Sequence, residues 1–171
     1  AAVRYIQTPL TDLPDSSYLK LTNPYGTGDH LFSSFTASGT FDSRNSVHFP
    51  ERGVFLSATS IWTPEFIGKP AFIGNKYGYT KAIGDARIYL TANILGGTTL
   101  ALRVNGEKIW GKYPFFDASY LGGVNDLRGC YRERFAGDAS FFGAAELRVN
   151  LGKFHIFVPG DFGFTVGAET G

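Results

Sequence analysis

Apolar and polar residues alternate along much of the chain with a period of two; Leu102 and Val104, for example, lie on either side of Arg103. This period is typical of β-strands that have one apolar and one polar face, and no long stretch has the apolar spacing of an amphipathic helix. The pattern predicts strands over 31–41, 53–63, 79–92, 98–110, 141–151 and 156–169, with a short strand near 2–8. Only 53–63 alternates less cleanly. We therefore expect an all-β, antiparallel protein.

The expected strands are long. Most run to 11–14 residues, whereas soluble strands usually have about 5–6 and membrane-crossing strands about 9–11 plus a short overhang. Aromatic residues lie near strand ends, as in the girdles of outer-membrane barrels; these are Trp62, Tyr79, Tyr89 and Trp110. A soluble sandwich also alternates, but the length and the aromatics favour a membrane. The residues expected to contact hydrocarbon include Leu100, Leu102, Leu147 and Phe164.

The connections between the expected strands alternate between long and short. The long ones are 10–30, 64–78 and 111–140, and the short ones are 42–52, 93–97 and 152–155. Outer-membrane barrels have short periplasmic turns and long external loops. This alternation favours a membrane barrel and predicts that the long connections lie outside the cell.

Composition excludes several classes of protein. With 171 residues, one domain is expected, and 16 basic against 15 acidic residues leave no basic field for nucleic acid. The one cysteine excludes a disulfide scaffold, and no apolar run has the ~20 residues of a membrane helix. Scattered histidines and the lack of a Gly-x-Ser-x-Gly motif argue against a metal site or an enzyme. Because the chain begins with Ala1 and contains no methionine, we expect a processed protein or a piece of a longer one.

The connection 111–140 holds the most informative motifs. They are Tyr113-Pro114-Phe115-Phe116, Leu121-Gly122-Gly123, Leu127-Arg128-Gly129-Cys130-Tyr131 and Arg134-Phe135-Ala136-Gly137-Asp138, followed on the next strand by Ala145-Glu146-Leu147-Arg148. Earlier in the chain stand Phe41-Asp42-Ser43-Arg44 and Phe49-Pro50-Glu51-Arg52-Gly53. From about Leu31 to Gly171 this series resembles the C-terminal barrel of the outer-membrane assembly-factor, or bacterial surface antigen, family, which includes BamA and TamA.

The resemblance implies a role for Arg128. In the family, this arginine lies at the tip of a loop folded into the barrel lumen and pairs with acidic side chains on the next two strands. The candidates here are Glu146 and Glu169, and both fall on the polar face that the alternation predicts. The family usually has Asp at the second position, so Glu169 reaches one methylene further.

The remaining motif residues are expected to shape and support the loop. Leu127 precedes the arginine, and Gly129 fits a tight turn that needs permissive dihedrals. Cys130 replaces the Phe or Tyr common in the family, and Tyr131 can take over that aromatic packing. Arg134 and Asp138 are expected to give polar support to the loop.

The resemblance also implies a function. Residues 1–171 would form part of one C-terminal outer-membrane β-barrel domain without an internal boundary, with about six or seven of an expected sixteen strands. The rest of the barrel and the periplasmic domains would lie elsewhere in a longer protein. Such a protein inserts or translocates other proteins at the bacterial outer membrane, is not an enzyme and needs no cofactor. Its partners would be outer-membrane lipid, client proteins and accessory lipoproteins.

Two alternatives remain open from the sequence. In the first, the barrel anchors or exports an N-terminal enzyme, such as a phosphoesterase or lipase. In the second, the chain is a soluble β-sandwich binding domain whose apolar face forms the core.

Overall fold

A computed structural model of the chain describes residues 2–8, 14–22, 28–65, 78–155 and 159–171. These residues are almost entirely β-structure. The strands are β1 (Ala2–Thr8), β2 (Gly28–Asp42), β3 (Gly53–Thr63), β4 (Gly78–Ala92), β5 (Thr98–Lys112), β6 (Ser119–Leu121), β7 (Phe135–Gly137), β8 (Ala139–His155) and β9 (Pro159–Thr170). A short helix, α1, covers Tyr18–Thr22, and a 3₁₀ turn covers Phe115–Asp117. Within the described ranges, no helix is both long and apolar enough to cross a membrane.

Seven of the strands form one antiparallel sheet in the order β1-β2-β3-β4-β5-β8-β9, and β6 pairs with β7 in a separate hairpin. The sheet strands are long: β2, β4 and β5 have 15 residues each and β8 has 17. In the part of the chain that is described, β1 and β9 are the two edges and do not pair with each other. An open antiparallel sheet of long strands confirms the predicted segment of a transmembrane β-barrel.

The sheet has two different faces. We call the face that carries Leu102, Leu147 and Phe164 the outer face, and these three side chains are 37%, 43% and 51% exposed. No described element packs against them, since the non-neighbouring contacts of the sheet are those of β6 and β7 with β5 and β8. A sandwich would bury this apolar face in a core, so the structure contradicts the sandwich alternative.

The opposite, inner face is covered by the connection 113–138, which we call the 113–138 loop. Ser119 in β6 lies 2.6 Å from Ser140 in β8, hydroxyl to hydroxyl, and Ser119 is 1% exposed. The largest buried side chains of the sheet lie beneath this loop and around it, among them Tyr79, Tyr89, Ile109 and Phe142. The buried core of the described residues therefore lies between the loop and the inner face.

The aromatic girdle was only half correctly predicted. Trp62 and Trp110 lie on the outer face, where both pair across the strands with Thr80. Phe35 stacks on Trp62 with ring centroids 5.7 Å apart. Tyr79 and Tyr89 have the opposite parity and are buried on the inner face. Both tyrosines lie on the polar face that the alternation predicts, so they do not belong to a lipid-facing girdle.

The predicted connection at 152–155 is also wrong. Strand β8 continues to His155 and pairs with β9, with a bulge between Asn150 and Gly152. The bulge interrupts the alternation, and Gly152 adopts a φ of +138°, which favours glycine. Because the alternation breaks at this bulge, the sequence pattern predicted that the strand ends there. Residues 156–158 between β8 and β9 lie outside the described residues, as do 9–13 and 23–27 of the first long connection and 66–77 of the second.

The weak alternation of β3 has a physical cause at Phe55. This aromatic residue lies on the inner face, where the guanidinium carbons of Arg44 and Arg87 stand 4.6 Å and 5.1 Å from its ring centroid. Cation–π contacts of this kind stabilise an aromatic ring among charged neighbours. An apolar residue thus occupies a polar-face position without joining an apolar core.

Candidate functional site

The base of the 113–138 loop is fixed by two tyrosines. Tyr79 in β4 donates its hydroxyl to Oδ2 of Asp117 at 2.6 Å. Tyr113 donates to Oδ1 of Asp138, and this hydrogen bond, together with burial, raises the pKa of Tyr113 to about 12. The carbonyl of Asp138 accepts a 2.8 Å hydrogen bond from the N–H of Ile109. Asp138 therefore joins the two ends of the loop where β5 ends and β8 begins.

The tip of the loop is a tight turn at residues 127–130. The N–H of Cys130 donates to the carbonyl of Leu127 at 3.0 Å. The glycines that need positive φ are Gly122 and Gly123, at +117° and +110°. Gly129 has no positive φ, and a Cβ added there would meet nothing within 4 Å. The expectation that Gly129 provides permissive dihedrals is therefore wrong, because the strained turn lies at the preceding pair of glycines.

Arg128 lies between two carboxylates of the sheet. Its Nη2 is 2.9 Å from Oε1 of Glu146, its Nε donates to Oε1 of Glu169, and its backbone N–H donates to Oε2 of Glu169 at 3.0 Å. These charge-assisted hydrogen bonds, to Glu169 first and then to Glu146, raise the pKa of Arg128 above its already high value. The Arg128 side chain is 54% exposed, while the side chains of Glu146 and Glu169 are only 21% and 16% exposed.

The two glutamates are diagonal neighbours on the inner face. Ala144 in β8 pairs directly with Glu169 in β9. Glu146 is the next inner-face residue of β8 after Ala144 and is therefore diagonal to Glu169. Gly167 is the direct partner of Glu146, and a Cβ there would come within 3.2 Å of Cγ of Glu146. The glycine thus leaves room for the glutamate side chain. Like charges at such positions repel each other, and Arg128 compensates both.

A second contact joins the loop to β5. Nη1 of Arg103 donates to the carbonyl of Asn125 at 2.6 Å, and its Nη2 lies 3.0 Å from Oδ2 of Asp85. Asp85 also pairs with Arg87 at 2.7 Å. The sequence analysis did not predict this contact. The available signal was the alternation, which places Arg103 on the inner face of β5, two strands away from Glu169. The loop tip is therefore bound to three adjacent strands, β5, β8 and β9.

Comparison with known proteins identifies the family. The family model of the Omp85 superfamily domain matches residues 3–166 of the chain. The chain belongs to the Omp85 superfamily. This membership confirms the resemblance to the BamA- and TamA-like family, and it places the chain at family level among bacterial outer-membrane proteins of insertion and transport. Neither the curated proteins nor the solved structures gave a significant match.

The remaining motif residues of this Omp85 domain lie around the loop tip. Leu127 and Cys130 are half-buried, and the Cys130 thiol is free. A Cβ built on Gly171 would lie 3.3 Å from Cδ1 of Leu127, so this leucine approaches the end of β9. Arg134 is exposed, and its backbone N–H donates to the carbonyl of Tyr131 at 3.2 Å. Its backbone thus closes a turn beside Gly122, while its side chain lies toward solvent.

We expect Gly122→Ala to destabilise the loop of this Omp85 domain, whereas Gly129→Ala leaves it intact. A Cβ on Gly122 would lie 2.6 Å from the carbonyl oxygen of Tyr131, in a backbone region that only glycine occupies readily. Strain of this kind costs about 1–3 kcal/mol. Limited proteolysis of the folded full-length protein should cut the loop of Gly122→Ala faster than that of Gly129→Ala. Equal cleavage of the two variants would contradict the assignment of the strained turn.

Proposed function

We propose that this chain is part of the C-terminal barrel of a bacterial outer-membrane protein that inserts or translocates other proteins, and that Arg128 braces the loop against the barrel wall inside the lumen. The observation that supports this role is the simultaneous pairing of Arg128 with Glu146 in β8 and Glu169 in β9. On this proposal the whole of 1–171 is one barrel domain, consistent with the uninterrupted order of the seven-stranded sheet.

The brace acts on strand register. A shift of one residue between β8 and β9 would move every side chain of one strand to the other face. It would carry Glu169 away from Arg128, whose backbone N–H and side chain both bind that carboxylate. The loop therefore opposes such a shift. The hydrogen bond from Arg103 to the carbonyl of Asn125 also fixes the loop to β5, so that one loop is bound to three strands.

A wall held in this way can remain fixed while another part of the barrel exchanges strands. Incoming client strands can add to an exposed sheet edge by main-chain hydrogen bonds, which is β-augmentation. This step requires backbone pairing and lipid but neither nucleotide nor metal. The proposed partners are outer-membrane lipid, client proteins and accessory lipoproteins.

The test is client folding in vesicles that contain the full-length protein. A urea-unfolded outer-membrane barrel is added, and its folded fraction is followed by heat-modifiable electrophoretic mobility. We expect faster folding than in vesicles that hold an unrelated barrel at the same protein-to-lipid ratio. Equal rates in the two preparations would contradict an insertion function and would favour a barrel that anchors another domain.

A further inference from the structure

Two lysines interrupt an otherwise uncharged outer face. Among the side chains described in β2–β5, β8 and β9, the charged residues with outer-face parity are Lys108 and Lys112 alone. Both belong to β5 and lie at its end next to the 113–138 loop. Every other charged side chain described in these strands lies on the inner face. Over the described residues, the outer face is therefore uncharged apart from one basic spot.

The two lysines flank a tryptophan. Alternation places Lys108, Trp110 and Lys112 in line, and we call them the Lys-Trp-Lys row. Trp110 is 51% exposed and shares its cross-strand level with Trp62, which is 50% exposed. Tryptophans on the lipid-facing side of a barrel mark the boundary between hydrocarbon and headgroups. Lys112 thus lies on the headgroup side of this boundary and Lys108 one outer-face position on the hydrocarbon side, and their Cα atoms are about 13 Å apart at about 3.3 Å per residue.

Neither lysine has an anionic partner among the described residues. The contrast is Lys81 on the inner face, whose Nζ lies 2.6 Å from Oε1 of Glu107. A lysine on a lipid-facing surface extends its ammonium group towards the headgroups. Its counter-charge must then come from outside the chain, and membrane phosphate groups are the anions at that level.

The cross-strand neighbours of the Lys-Trp-Lys row are small. Ala82 and Ala139 lie opposite Lys108, and Gly78 lies opposite Lys112. Towards the middle of the band, an apolar depression crosses four strands; its floor is formed by Gly39, Ala58, Gly84 and Gly106. Gly106 is the next outer-face residue of β5 after Lys108. The surface thus offers two lysines whose ammonium groups reach headgroup level, beside an apolar recess at acyl-chain level.

We propose that Lys108 and Lys112 bind the two phosphate groups of a bisphosphorylated glycolipid, the lipid A type of outer-leaflet lipid, with an acyl chain in the depression. Two separated cations match two separated phosphates better than the one phosphate of a glycerophospholipid. The inference rests on the proposed function and on the predicted orientation, in which the long connections, and with them this end of β5, face the cell exterior. It adds to the domain a lipid site on the face opposite Arg128.

The experiment measures lipid binding to the full-length protein in detergent by native mass spectrometry. The probes are bisphosphorylated lipid A, monophosphorylated lipid A and phosphatidylglycerol. We expect wild type to prefer the bisphosphorylated form, and the double variant Lys108→Gln/Lys112→Gln to lose at least about tenfold in affinity for it. Lys108→Arg/Lys112→Arg should keep the preference. Arg132→Gln, which removes a cation from the 113–138 loop but not from the outer face, should match wild type.

Undiminished lipid A binding by the glutamine variant, or equal wild-type affinity for phosphatidylglycerol, would overturn the proposal. Heat-modifiable mobility shows that each variant is folded, and Lys112→Gln alone provides the same comparison if the double variant does not fold. The client-folding rate separates this inference from the proposed function. Unchanged insertion without lysine-dependent binding would refute only the lipid site, whereas lysine-dependent binding without insertion would refute only the insertion role.

Discussion

Arg128→Glu in the full-length protein is expected to release the 113–138 loop from the sheet and to lower the client-folding rate by about tenfold or more. The variant would bring a third carboxylate up to Glu146 and Glu169, whose side chains are mostly shielded from solvent. It would replace the two side-chain hydrogen bonds of Arg128 by repulsion, because a carboxylate only accepts. The measurements are client folding in vesicles and protease cleavage of the loop.

Two further variants separate charge repulsion from simple loss of contact. Arg128→Gln removes the charge without reversing it, and because the Arg128 side chain is half exposed, we expect a smaller effect than for Arg128→Glu. Adding Glu146→Arg to Arg128→Glu restores one ion pair, so part of the activity should return. The rescue should be incomplete, because Arg148 then loses its 2.9 Å partner Glu146. Wild-type folding and activity in Arg128→Glu would exclude the bracing role.

Much of the sheet could be predicted because side-chain direction in a strand has a fixed period. The period of two located β2, β3, β4, β5 and most of β8 and β9, and it gave the face of every regular position. It also puts Glu146 and Glu169 on the face that the loop covers. Face assignments of this kind depend only on local backbone geometry, so one sequence contains enough information for them.

Contacts between the loop and the sheet could not be predicted in the same way. The hydrogen bond from Arg103 to the carbonyl of Asn125 joins residues 22 positions apart, and it involves a backbone acceptor that any residue would provide. The Tyr79–Asp117 bond depends on how the loop returns over β4, which no local pattern specifies. The prediction that Gly129 rather than Gly122 adopts a positive φ was wrong for the same reason. The sequence does not distinguish the two glycines, and only the path of the backbone does.

Val104→Arg is expected to destabilise the folded protein in a bilayer by about 2–4 kcal/mol, the cost of an arginine on the lipid face near the membrane midplane. Val104 lies on the outer face and is 49% exposed. The same change on a water-exposed surface would alter stability by only about 0.5 kcal/mol or less. The size of the effect therefore reports whether hydrocarbon or water covers the outer face. The measurement is a reversible urea titration of the full-length protein in vesicles.

The matched control is Asn105→Arg, one residue further along β5 and on the inner face. Asn105 pairs across the strands with Asp85, so an introduced guanidinium has a carboxylate beside it and no contact with lipid. We expect this variant to lie close to wild type in the same titration. If Val104→Arg is no less stable than Asn105→Arg, the outer face does not lie in hydrocarbon. The membrane orientation, the internal brace at Arg128 and the lipid site at the Lys-Trp-Lys row would then all lose their common basis.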